Sequence, residues 1–142
     1  MKKILLLSRI ALGIIFIWYG ILKFFPQLSP AETLATQTID ILFAHIIPAS
    51  LSIKLLAIWE VFVGIGLVFG IYLRVALILF FTHMTLTFTP LFLLPDVSFT
   101  KAPYAFTLVG QYIVKNVVFI LMGILIYKDK FCEGICDIKE DK

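Results

Sequence analysis

The chain has 142 residues, 61% of them hydrophobic and 15% charged, with a formal net charge of +3. An average soluble domain is about half apolar and about a quarter charged, so this composition excludes a disordered chain, a collagen-like repeat, a disulfide scaffold and most soluble enzymes. Fourteen Phe and long apolar runs with few charges point to a bilayer as the solvent. The small net charge, with no aromatic-rich basic patch, excludes nucleic acid as a partner; membrane lipid is the expected one.

Four segments are long enough to cross a membrane: 4–25, 51–72, 75–95 and 105–127. A hydrocarbon core of ~30 Å needs about 20 helical residues, which each segment supplies. Helix is preferred to strand because the apolar residues run on without alternation, and lipid tolerates no open strand edge. The expected fold is therefore all-α: an integral membrane four-helix bundle over 1–127, followed by a polar tail over 128–142. Met1, Lys2 and Lys3 ahead of an apolar run resemble the start of a secretion signal. The run is long for one, Arg9 interrupts it, and no Ala-x-Ala-like site follows, so it reads as a retained span.

Residues 26–50 form a long loop without Lys or Arg. Ser29, Pro30 and Glu32 read as a helix start, with Ser29 as the cap, Pro30 in the first turn and Glu32 closing a capping box. That helix, to about Phe43, is expected to lie along the membrane surface, and Pro48 stops any helix before the second span. A tight hairpin at Tyr72, Leu73 and Arg74 joins spans two and three, and a polar loop over 96–103 joins three and four.

With four spans, both termini share a side. Lys2, Lys3, Arg74, Lys128, Lys130, Lys139 and Lys142 lie on that side, against Lys101, Lys23 and Lys54 on the other. The excess of Lys and Arg makes the termini cytoplasmic and the long loop external.

Ionisable residues inside spans carry most of the functional information. Glu60, His83 and Lys115 each fall near the middle of a different span. A charge at the bilayer centre costs about 2.5–3.5 kcal/mol on insertion scales, so these side chains are expected to face the bundle interior. Gln111 shares a helical face with Lys115, and Gly64 with Glu60. Such a cluster can simply fix the register of the bundle, Glu60 neutralising Lys115. It can also serve a polar group inside lipid, such as a quinone head group or a transferred proton. In span one, Arg9, Gly13, Phe16, Gly20 and Lys23 form one stripe whose glycines admit a close neighbour. Lys23, near the span end, is expected to snorkel to the head groups. Arg9 lies deeper and is a candidate for a buried partner.

Cys132 and Cys136 sit in a tail assigned to the reducing cytoplasm, where no permanent disulfide is expected, and the three residues between them do not make the CxxC spacing of a thioredoxin-like pair. Two thiols also fall short of a structural zinc set, and no metal site is expected. His83 is the only His within a span, which disfavours a membrane haem; His45 falls in the loop.

The stripe Arg9, Gly13, Phe16, Gly20 and Lys23, followed by Glu60, Gly64, Gly70 and Arg74, resembles the DoxX family of small four-helix membrane proteins. The resemblance spans residues 4–75, whereas the fourth span departs from the family pattern at Gly110, Gln111, Tyr112, Lys115 and Asn116. It implies a multi-pass protein of the bacterial plasma membrane and an association with thiosulfate:quinone oxidoreductase or other redox-linked assemblies. On that footing Glu60, Lys115 and His83 are the candidate catalytic residues, and Gln111, Lys115 and Arg9 the candidate quinone-binding ones. Electrons would come from a soluble redox partner. A non-catalytic assembly protein is the alternative, and a small-molecule transporter the third, which would need a homo-oligomer because four helices make a thin pathway. Whether the protein is an enzyme stays open at this level.

The orientation has a direct check. A membrane-impermeant thiol reagent added to intact cells should modify a cysteine placed at Thr36 and spare Cys132 and Cys136. Strong labelling of the tail thiols would invert the topology.

Overall fold

The structure is a computed structural model and describes residues 2–25, 28–29, 32–44, 46 and 48–131. The elements run α1 (Lys2–Leu22), α2 (Glu32–Leu42), α3 (Ala49–Phe69), α4 (Leu73–Thr87), α5 (Pro90–Leu93), α6 (Pro95–Ser98), β1 (Phe99–Lys101), β2 (Ala105–Phe106) and α7 (Leu108–Phe131). Four helical stretches have the length and apolarity to cross a membrane: Lys3–Leu22, Ala49–Phe69, Leu73–Leu93 and Leu108–Phe131. The fold is an all-α membrane bundle. Pro30 and Ala31 of the expected capping box, His45, and the tail thiols Cys132 and Cys136 lie outside the described residues.

Local chemistry sets each boundary. α3 stops at Phe69, before the expected end at 72, because Gly70 takes a left-handed conformation (φ 71°) and its N–H donates back to the Gly66 carbonyl at 2.9 Å. Glycine reaches that conformation without a Cβ clash. The turn therefore falls on Gly70, Ile71 and Tyr72, and Leu73 and Arg74 already belong to α4. Pro90 supplies no N–H to the Leu86 carbonyl, so the third span breaks there. Thr89 compensates by donating to that carbonyl from both its backbone (3.1 Å) and its hydroxyl (2.7 Å).

The third connection is folded, where the sequence suggested only a polar loop. β1 and β2 pair antiparallel, Phe99 opposite Phe106. Thr107 donates from its hydroxyl to the Val97 carbonyl at 2.6 Å and accepts the Gly110 N–H at 3.2 Å, capping α7. The pairing takes residues 105 and 106, so α7 begins at Leu108 and not at 105.

α1 packs most extensively on α3. A Cβ added to Gly13 would stand 2.7 Å from the Gly64 carbonyl oxygen, and one added to Gly64 would stand 2.7 Å from that of Gly13. The two backbones thus touch where each lacks a side chain, as small residues permit in membrane helices. Leu12, Phe16, Val63, Leu67, Leu77, Phe80, Met84 and Ile126 form the core beside this contact. Trp18, Phe69 and Ile78 point outward, as expected of surfaces facing lipid. The start of α1 and the end of α7 line one cavity, which defines a terminus face. α2 packs on α3 and α5 at the opposite end, the loop face.

Replacing Gly64 with Leu should lower stability by about 3 kcal/mol, the upper end of overpacking costs, read as a lower melting temperature in detergent. The outward Ile78→Leu change, at a position 62% exposed, should leave melting unaltered.

Candidate functional site

Glu60 lies at the middle of α3 and His83 at the middle of the Leu73–Leu93 span. Their side chains meet: His83 Nε2 is 3.3 Å from Glu60 Oε1. The other carboxylate oxygen, Oε2, accepts from Lys23 Nζ at 2.5 Å. All three side chains are nearly enclosed, at 5% exposure for Lys23, 8% for Glu60 and 12% for His83. A buried carboxylate needs a cation or donors on both oxygens to offset lost hydration. Lys23 and His83 supply them.

Lys23 reaches this depth through the register of α1 on α3. With Gly13 opposite Gly64, residue 17 stands level with Glu60, and Lys23 is six residues further, ~9 Å at 1.5 Å per residue. Two extended side chains close that gap. Gly20 helps, since a Cβ there would stand 3.1 Å from the Ala57 carbonyl oxygen. Lys23 follows directly after α1, with its N–H on the Gly20 carbonyl at 3.2 Å. Its ammonium therefore bends inward along α3 instead of snorkelling to the head groups, because a carboxylate within reach outweighs the interface.

Aromatic rings wall the cluster. Phe16 meets His83 edge to face at 5.4 Å between centroids, and Trp59 stands 6.5 Å from it. The Trp59 indole N–H donates to the Leu79 carbonyl at 3.2 Å, which holds α3 against α4 beside the site.

The other sequence-derived candidates are elsewhere. Lys115 is exposed, with its ammonium 5.0 Å above the Tyr112 ring, and Gln111 is exposed on the same helix. Helical side chains lean toward their own N-terminus, which for α7 is the loop face. Lys115 thus snorkels over Tyr112 toward that interface, and the expected Glu60–Lys115 pairing gives way to Glu60–Lys23. Arg9 sits near the terminus face, its guanidinium against Gly70, with Nε buried and unpaired among the described residues. It is level with residue 68, eight residues or ~12 Å from Glu60. Arg9, Lys115 and Gln111 therefore do not share a site with Glu60 and His83. The residue that sequence reasoning missed is Lys23. Its signal was present, since it shares the α1 stripe with the two glycines that seat α3.

Among the described residues, no three of His, Cys, Asp and Glu gather as a metal-ligand set. What the cluster can do chemically is hold, share and pass a proton between a carboxylate, an ammonium and an imidazole inside an apolar bundle.

The model of the DoxX family matches residues 4–93, more than half of the chain. The chain belongs to the DoxX family. The matched region contains Lys23, Glu60 and His83 and ends before α7, so Gln111 and Lys115 fall outside it. No curated protein and no solved structure matches the chain.

Two variants separate the pair from its parts. Lys23→Met leaves Glu60 buried without its cation and should cost about 3 kcal/mol, as other broken buried pairs do. The double change Lys23→Met with Glu60→Leu should recover most of that loss, since an apolar replacement removes both desolvation penalties. Melting in detergent at neutral pH reads both.

Proposed function

We propose that this DoxX protein is a redox-associated subunit of a bacterial plasma membrane, with both termini cytoplasmic, and that it binds a lipid-dissolved quinone against the His83 edge of the buried cluster. The supporting observation is the Glu60 carboxylate held between Lys23 and His83 at mid-span, with His83 the least enclosed of the three. An imidazole N–H at that depth is a donor for a quinone oxygen, which lipid itself cannot satisfy. The reaction balances as quinone, two electrons from a soluble donor protein and two protons giving quinol. His83 hands a proton to the reduced oxygen, and Glu60 and Lys23 replace it, one proton at a time. Lys115 and Gln111, on the outer surface of α7, have no part in that transfer.

A non-catalytic assembly role is the second reading. It is favoured by the engagement of both Glu60 oxygens, which would suit an ion pair that only fixes α1 on α3.

Quinone binding to purified protein in nanodiscs decides between the two. Wild type should bind quinone, His83→Phe should lose binding and lower stability by about 1–3 kcal/mol, the cost of the donor it takes from Glu60, and Lys115→Met should bind and melt like wild type. Absence of binding by wild type, together with no donor-dependent quinone reduction, would leave the assembly role as the better account.

A further inference from the structure

Lys23 does not face only Glu60. It also lines a cleft of about 790 Å³ that lies between the end of α1, the face of α2 and the first turns of α3. The wall mixes polar side chains, Ser29, Thr33, Thr36, Gln37 and Lys54, with the apolar Phe24, Ala49 and Ile53. The volume accommodates ~25 water molecules at bulk density. Ser29 is 6% exposed, and its hydroxyl has no hydrogen-bond partner among the described residues. A buried hydroxyl needs a partner, and the cleft beside Ser29 has room for water to serve as one.

The opposite direction is closed. From Glu60 and His83 toward the terminus face, α1 contributes Leu12, α3 contributes Val63 and Leu67, and α4 contributes Ala76 and Leu77, each at most 1% exposed. Phe80 adds a ring at 0%. Of the charged groups at that face, Lys3, Arg9, Asp129 and Lys130 line a separate cavity of about 230 Å³, and Arg74 stacks over the Phe131 ring.

We propose that the α1–α2–α3 cleft is a one-sided aqueous vestibule through which the Lys23–Glu60–His83 cluster exchanges protons with the loop face alone. Water in the cleft meets the Lys23 ammonium at its floor. Lys23 passes a proton to the Glu60 carboxylate and is reprotonated from the cleft, and, with the imidazole's own proton shifted to Nδ1, the proton moves on from Glu60 to the free His83 Nε2. Each uptake adds one proton and one positive charge to the cluster, with no bond to carbon made or broken. Glu32 from α2 and Lys54 from α3 are the other charged groups on the cleft wall. α7 turns Gly110, Ile113, Gly123 and Ile126 inward and offers the cluster no titratable side chain among the described residues. This proton access does not depend on quinone binding.

The protein carries its own reporter. Of its two Trp, Trp59 stands beside His83 and Trp18 is 65% exposed. A protonated imidazole quenches a neighbouring indole, so Trp18→Phe protein reports on His83 through Trp59 emission. Titration in detergent first locates the quench. The same protein is then reconstituted in one orientation and acidified on one face at a time, with no quinone present. Acid at the loop face should remove the Trp59 emission within the mixing time, and acid at the terminus face should leave it until pH equilibrates across the bilayer. Ser29→Leu, which fills the cleft wall with an apolar group, should slow the loop-face response, and Thr33→Phe serves as the second obstruction if Ser29→Leu fails to melt cooperatively. Equal responses from the two faces, a faster one from the terminus face, or no quench in detergent would each overturn the proposal.

Discussion

A carboxylate in the middle of a membrane helix must be matched by a cation, and in this protein the match is made across the α1–α3 contact. Glu60 and Lys23 can meet at 2.5 Å only because Gly13, Gly20 and Gly64 let the two backbones approach. With larger residues there, α1 would stand further from α3, and Glu60 would have to be neutral or water-filled. The pair in turn fixes the sliding register of α1, since a shift of one helical turn would carry Lys23 ~5.4 Å from its partner. Close packing and charge neutralisation thus constrain one another.

The third member, His83, ties the pair to α4. Its imidazole occupies the second carboxylate oxygen, and the rings of Phe16 and Trp59 exclude lipid from two sides. One polar cluster therefore joins three elements of a bundle that otherwise holds together through apolar contacts. In lipid those contacts gain little from the hydrophobic effect, because the surroundings are equally apolar. Polar contacts that must be satisfied inside the bundle supply orientation that apolar packing leaves free.

The bundle is also polarised along its length. Between the cluster and the terminus face the interior is closely packed and apolar, whereas toward the loop face it opens on a cleft lined by hydroxyls, Gln37, Glu32 and the cations of Lys23 and Lys54. α2 is what makes the difference. It lays Thr33, Thr36 and Gln37 over the start of α3. The folded third connection, by contrast, uses its polar groups internally: the Ser98 hydroxyl donates to the Pro90 carbonyl at 3.1 Å and Thr107 caps α7. The two loops on one face thus differ in kind, one lining a cleft and the other closing on itself.

Four spans, the helix after residue 29, and the depths of Glu60 and His83 were legible in the sequence, because each depends on position along one chain. Runs of apolar residues set where the chain crosses, and counting from a span end sets depth. The glycine stripe of α1 was legible too, since helical spacing alone puts Gly13, Gly20 and Lys23 on one side. The partner of Glu60 was not. By depth Lys115 was the expected cation, whereas Lys23, near a span end, was expected to snorkel to the head groups. The fold decided for Lys23, because its stripe faces α3 and its four-carbon stem spans the ~9 Å of axial offset. Lys115 instead lies on the outward side of α7, and its stem leads toward the loop face. Depth is a property of a single helix, but facing depends on how two helices are rotated and slid against each other, and only the packed bundle sets that.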